Sequence, residues 1–269
     1  MIQIQHRIFS PRNISLLREL VVSDFKLRYQ GSVLGYLWSL LRPLMLFGVL
    51  YVVFTHVIRL GDSIPNYPSY LLLGLVVWTF FIEASTAGMN SITGRGDLVK
   101  KVSIPKYIIV ISTTISAGIN FMLNMVVVFV FMFIGHVTFR PTIFLAIPLI
   151  FELIILCMAL SFFLATLYVK YKDISHIWDV ILQVLFYATP IIYTLSIVPE
   201  KFAKIMCLNP LVQIMQDIRL VMITSSTTTT EQVYGTILGR ILPALAIIII
   251  FILSANYFRK NSRFFAEEL

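Results

Sequence analysis

Six long apolar runs separated by short polar breaks dominate the chain. They cover residues 34–58, 70–89, 107–135, 143–169, 180–198 and 237–258, and each approaches the roughly 20 mostly apolar residues that a helix needs to cross about 30 Å of hydrocarbon. The pattern predicts six transmembrane helices. A further stretch, 207–223, is apolar in texture but interrupted by Asn209, Pro210, Gln213, Gln216, Asp217 and Arg219. Charge at mid-bilayer is costly, and irregular backbone there needs shielding by protein or water. This stretch is therefore predicted as a re-entrant or interfacial helical pair on the outer side, between spans five and six.

Ahead of the first run, Arg12 to Gln30 carries a helical period. Projected at about 100° per residue, Ile14, Leu16, Leu17, Leu20, Val21, Phe25 and Leu27 share one half of the wheel. Ser15, Arg18, Glu19, Ser23 and Lys26 fill the other half, with Val22 as an exception. The segment reads as an amphipathic interfacial helix on the membrane surface, or as a helix docked on the protein itself. Asp24 and Arg28 intrude on the apolar side at a spacing that allows them to pair. The expected fold class is all-α integral membrane: a cytoplasmic leader at 1–33, a transmembrane domain at 34–258 and a cytoplasmic tail at 259–269.

Composition narrows the class further. Of 269 residues, 58% are hydrophobic and 13% charged, with a mean hydropathy of +0.90, whereas a soluble domain carries about 25% charged residues. The net charge of +8 has an orientation reading instead of a nucleic-acid one. With the N-terminus inside, all but six of the 21 lysines and arginines (Arg59, Arg140, Lys201, Lys204, Arg219 and Arg240) fall on one side, and a Lys/Arg excess marks the cytoplasmic side. Both termini are thus expected in the cytoplasm. No small-residue cleavage site follows the first run, so the N-terminal segment reads as retained. Cys157 and Cys207 give neither a disulfide framework nor a metal-ligand spacing. Nothing fits the glycine-rich phosphate loop ending in Gly-Lys-Ser/Thr, so energy has to come from another polypeptide.

Several short motifs follow one another along the chain. At the leader-to-span junction stand Asp24, Lys26, Arg28-Tyr29, Gly31-Ser32, Leu34-Gly35, Trp38 and Pro43. Lys100-Lys101-Val102 with Pro105-Lys106 follows, then Tyr171-Lys172-Asp173-Ile174, then Thr189-Pro190-Ile191, Tyr193, Asn209-Pro210 and Arg219. In this order they resemble the ABC-2 type permeases that export polysaccharides and polyol phosphates, the group handling O-antigen, capsule and wall teichoic acid. Lysine stands at 172 where arginine is usual. The resemblance implies a homodimer in the bacterial cytoplasmic (inner) membrane, bound to two copies of a cytoplasmic ABC ATPase that carries the ATP and Mg. Its cargo would be a lipid-linked glycan or polyol-phosphate polymer. An ABC-2 exporter of a drug or small lipid would share the fold. A membrane-embedded glycosyl- or phosphotransferase would need clustered acidic residues, whereas Asp24, Asp97 and Asp173 are scattered.

Each motif carries a site expectation. Lys100, Lys101, Val102, Ile104, Pro105 and Lys106 offer an apolar anchor, Ile104 and Pro105, inside a basic rim suited to a protein partner, and the resemblance makes this loop the ATPase coupling element. Lysines that only set orientation or meet lipid headgroups are the alternative. Tyr171, Lys172 and Asp173 form a second cytoplasmic contact. The resemblance makes the leader helix and first span, with Asp24, Arg28, Tyr29, Gly31, Ser32, Gly35, Trp38 and Pro43, a lateral gate for the lipid carrier. Tyr36, Phe47, Tyr51, Phe54, Phe186 and Tyr187 could line a polymer path by stacking on sugar rings, or simply fill interhelical and headgroup positions. Thr189, Pro190, Asn209, Pro210, Asp217 and Arg219 form an outer gate where prolines break helices and free carbonyls; for Pro210 a plain helix start is the alternative. Asp217 and Arg219 are expected to face a water-filled vestibule or polymer charge. Glu83 and Glu152, acidic groups inside spans, are either functional or hydrogen-bonded helix ties, with Arg140 or a neighbouring span as the expected contact of Glu152.

Overall fold

The computed structural model describes residues 10–29, 31, 34–59, 61, 64–101 and 104–269. Among these, every regular element is helical. In chain order the α-helices are α1 Pro11–Tyr29, α2 Leu37–Val52, α3 Tyr67–Asn90, α4 Gly96–Lys101, α5 Lys106–Ile134, α6 Ala146–Lys170, α7 Ile174–Ala188, α8 Glu200–Met206, α9 Pro210–Met222, α10 Thr230–Tyr234, α11 Leu238–Asn261 and α12 Phe265–Glu268. Among the described residues, five segments are long and apolar enough to cross a membrane: Leu37–Val57, Tyr67–Asn90, Lys106–Ile134, Pro141–Lys170 and Leu238–Asn261.

The span expected at 180–198 takes a different form. Its helix is α7, which starts earlier and stops at Ala188 after 15 residues, about 22 Å at 1.5 Å per residue. Pro190 is the reason: it lacks a donor and disfavours helical backbone in the residue before it, and Thr189 is accordingly extended (φ −105°, ψ 133°). The apolar run continues past the proline, but the helix does not.

Helix α3 is the centre of the bundle. Leu71, Leu72, Leu73, Leu75, Val76 and Val77 are all buried, on every side of the axis, as expected of a helix hydrophobic all round and enclosed by others. It packs against α5 and α6. Polar contacts fasten these crossings: Asn120 of α5 donates to Glu83 of α3 at 2.7 Å, and Ser161 of α6 donates to the Ala84 carbonyl at 3.1 Å. Glu83 thus joins helices, one of its two expected roles.

Helix α2 contains Pro43, buried in its interior. A proline there cannot donate to the carbonyl four residues earlier, that of Ser39. Asn124 of α5 supplies a donor to that same carbonyl, at 3.2 Å.

A second apolar cluster closes one end of the bundle. It unites Leu20 of α1, Val99 of α4, Ile109 of α5, Val169 of α6 and Phe258 and Phe265 near the C-terminus. The leader and the tail therefore share the end that carries the basic α4. Lys106 donates to the Ser262 carbonyl at 2.6 Å, placing a cation at the C-terminus of α11, where the helix dipole favours it.

Candidate functional site

The leader helix α1 lies where the hydrophobic period puts it, with two differences in detail. Leu20 is buried, and Leu16 and Leu17 pack on the cluster just described, so one apolar stripe faces protein, while Ile14, Val22 and Leu27 remain exposed. Asp24 meets a partner far along the chain: the Arg95 guanidinium donates to the Asp24 carboxylate and to Ser112 Oγ at 3.2 Å. The helix docks with Asp24 turned toward α5 and the loop before α4. The side chains of Arg28 and Tyr29, and the whole of Ser32, lie outside the described residues. Gly31 and Gly35 adopt left-handed backbone (φ 77° and 49°), and a Cβ at either would meet open space. The motif needs glycine there for the turn between α1 and α2 rather than for room. Trp38 is exposed, and the Tyr36 ring lies 5.9 Å from Phe25 of α1.

At the same end, Lys100 and Lys101 occupy the last turn of α4 and point outward. Val102 lies outside the described residues. Ile104, expected as an outward anchor for a partner, is half-buried against the chain's own cluster. An isoleucine beside Val99 and Ile108 removes more apolar surface from water by turning inward. Pro105 caps the start of α5, and Lys106 is occupied by Ser262. Among the described residues of this loop from 100 to 106, Lys100 and Lys101 are the exposed ones. The second loop is open: Tyr171 is 61% exposed, Asp173 is exposed, and Lys172 sits 5.1 Å from the centre of the Tyr168 ring.

The six aromatics suggested for a polymer path do not form one set. Phe47 is 6% exposed and belongs to the core, stacked on Tyr51 at 5.7 Å and edge-on to Phe131 at 5.1 Å. Tyr51 and Phe54 are half-buried on the same helix and its continuation. Phe186 packs on Trp78 of α3 at 5.7 Å. Only Tyr36 and Tyr187 are largely exposed, at 53% and 73%.

The opposite end holds a polar construction that the sequence placed in water. Asn209 accepts from the Leu211 amide at 3.0 Å and Pro210 takes the first turn, a good start signal for α9. Yet α9 is enclosed, with every residue from Leu211 to Arg219 buried. Arg219 is 0% exposed. Its guanidinium donates to the carbonyls of Pro190 and Ile191 at 2.6 Å each, of Tyr70 at 3.1 Å, and to Gln216 Oε1 at 3.3 Å, while lying 3.6 Å over the Tyr70 ring. The vestibule expectation for Arg219 is therefore overturned. The carbonyls freed where Pro190 ends α7 find their donor in this side chain. Tyr67 adds a hydrogen bond to the Ile192 carbonyl at 3.1 Å, and Gly74 leaves the space in which the guanidinium lies, since a Cβ there would overlap it. Tyr67, Tyr70 and Gly74 were missed in the sequence, although their spacing of three and four puts them on one face of an otherwise apolar helix.

Asp217, also expected to face water, is buried. It accepts from Gln213 at 2.8 Å and pairs with Arg240 of α11 at 3.4 Å. Burial pushes its carboxyl above the usual carboxylate range, against the opposing pull of Gln213 and Arg240. Glu152 lies beside Gln213 and Asp217 of this network. Thr189 is buried as well. Among the described residues no group of His, Cys, Asp and Glu is placed to hold a metal ion.

A helical bundle with a docked leader, a short basic helix at one end and a proline-broken segment at the other can be compared with known proteins. The family model for the ABC-2 type transporter matches residues 15–223. The chain belongs to the ABC-2 type transporter family. An O-antigen export system permease protein RfbA of Klebsiella pneumoniae is 33% identical over 204 residues, covering 74% of this chain and 78% of that one. Its namesake in Myxococcus xanthus is 34% identical over 223 residues, covering 80% and 82%. The polysialic acid transport protein KpsM of Escherichia coli is more distant, at 20% over 198 residues, covering 73% and 77%. This ABC-2 chain is thus a multi-pass membrane transport subunit. The matched region takes in the leader from Ser15, the basic loop and the whole outer segment through Ile223.

Proposed function

We propose that this chain is the permease of an ATP-driven exporter that moves a lipid-linked polysaccharide or polyol-phosphate polymer out of the cytoplasm, as a homodimer with two cytoplasmic ATPase subunits. The observation that carries the reading is the gathering of the leader helix, basic α4, the Tyr171–Asp173 turn and the C-terminal helix at one end of the bundle. A soluble motor would dock there. Relatives that bear O-antigen and polysialic acid export names support the class of cargo. In this reading the exposed Tyr36 and Tyr187 are the groups available to stack on a polymer that passes at the dimer axis. Support for the sixth crossing comes from α7, which is apolar but short and continues through the broken segment into enclosed α9. In this reading α8 and α9 form the re-entrant outer element, and Asn209, Pro210 and Arg219 set its shape.

Two tests follow from this arrangement. Lys100→Glu combined with Lys101→Glu places like charge against an acidic or anion-lined docking surface, which costs several kcal/mol, without touching the buried Val99 or Ile104. Co-purification of the ATPase and polymer at the cell surface should both fall sharply while the permease stays in the membrane; undiminished capture of the ATPase would remove α4 as its contact. For orientation, Ser226→Cys should react with an impermeant thiol reagent added to intact cells and Lys260→Cys should not. The native Cys157 and Cys207 are buried and give little background. Labelling of Lys260→Cys from outside would reverse the proposed topology.

A further inference from the structure

We propose that the Asp24–Arg95 ion pair is the link that carries movement of α4 into the leader helix α1, and hence to the lateral opening beside it. This inference rests on the reading of α4 as the ATPase contact. Arg95 ends the short turn Thr93–Arg95 and immediately precedes α4, so the segment that bears Lys100 and Lys101 also bears the arginine. Its guanidinium holds the Asp24 carboxylate on one side and Ser112 Oγ on the other, at 3.2 Å. Ser116, one turn further along α5, donates to the second Asp24 oxygen at 3.5 Å. Both ions are mostly withdrawn from water, with side chains 19% and 18% exposed, so salt screens them less than a surface pair.

The geometry favours transmission over a static tie. Among the described side chains α1 otherwise packs on α5 mainly through apolar groups, contacts without strong direction that allow sliding, with one long hydrogen bond from Asn13 to the Tyr107 hydroxyl at 3.4 Å near its start. A charge-assisted hydrogen bond from a planar guanidinium is directional, so a displaced α4 pulls on α1 at Asp24. Arg95 also stands between Gly94 and Gly96, where added side chains would meet open space at the first and only the tip of Leu269 at the second. Two glycines give the backbone on either side of the arginine unusual freedom. The hinge and the link lie side by side.

The test uses the full exporter, in cells and purified with its ATPase. Asp24→Asn, Arg95→Gln and the exchange Asp24→Arg with Arg95→Asp are compared with the unchanged chain. Polymer is extracted from the surface of intact cells and from the cytosol and quantified by periodate labelling. Each single variant should reach normal membrane levels, retain the ATPase and hydrolyse ATP, while surface polymer falls about tenfold, within the range for residues that couple two sites. The exchange should restore most of it. Normal export in both single variants overturns the link, as does parallel loss of hydrolysis and export, or failure of the exchange to recover export. The Lys100→Glu, Lys101→Glu protein reports separately on the ATPase contact, so a fault in that reading shows as a retained ATPase there and not as a result at Asp24.

Discussion

Replacing Arg219 with alanine is expected to deplete the protein from the membrane fraction rather than only to slow transport. The side chain is fully buried and its guanidinium serves the carbonyls of Pro190, Ile191 and Tyr70. Truncation strands the carbonyls of Pro190 and Ile191, at about 1–3 kcal/mol for each buried group left unsatisfied, while Tyr70 keeps its helical partner, the Gly74 amide. The loss is a large share of the margin of a typical folded domain, about 5–15 kcal/mol. It also empties the space beside Gly74 and removes the cation from the Tyr70 ring. Arg219→Lys keeps the charge, but an ammonium is a point donor without the planar fork, so it serves the Pro190–Ile191 pair incompletely and should give intermediate levels. The measurement is immunodetection in membranes together with thermal retention in detergent. If Arg219→Ala accumulates normally and loses export alone, the residue belongs to the transport path and the tie assigned here is wrong.

Most of the bundle was legible from apolar run length, because a helix in hydrocarbon has to satisfy its own backbone and the required length is fixed by the bilayer. The start of α9 was legible as well, through Asn209-Pro210. What escaped were pairings between distant positions. Nothing in a single chain reveals that Asp24 pairs with Arg95, 71 positions on. The fifth run was overextended because hydropathy counts Ile191, Ile192 and Val198 as helical in type, whereas Pro190 decides their conformation. Arg219 was assigned to water on the rule that charge avoids lipid. The rule holds, but a third solution existed: carbonyls that a proline had already freed from helical bonding. Ile104 illustrates the converse limit, since an apolar residue in a basic loop has the same appearance in sequence when it anchors a partner as when it anchors its own chain.

The other large effect is expected at the crossing of α3 and α6. A Cβ built on Gly88 would overlap Oγ and Cβ of Ser161 and come within 2.9 Å of the Ser161 Cα. The third of these atoms belongs to the backbone, so no rotamer of the serine relieves the clash and the helices have to separate. Separation stretches the bond from Ser161 to the Ala84 carbonyl, although Ser161 keeps its bond to Cys157 in its own helix at 2.8 Å. Overpacking of this kind costs about 1–3 kcal/mol. In a membrane that loss weighs heavily, because helices gain little from hiding apolar surface from an apolar solvent and depend on close packing instead. Gly88→Ala should therefore lower the melting temperature of the detergent-solubilised protein. Adding Ser161→Gly removes the two worst overlaps but leaves the tight approach to the backbone of α6, so recovery should be partial. Gly118 on α5 supplies the control: a Cβ there meets nothing within 4 Å, and alanine is preferred over glycine inside a helix by about 1 kcal/mol. Gly118→Ala should leave the melting temperature unchanged or raise it slightly. Equal behaviour of the Gly88 and Gly118 variants would mean that the α3–α6 crossing is looser than the close approach of Gly88 to Ser161 indicates.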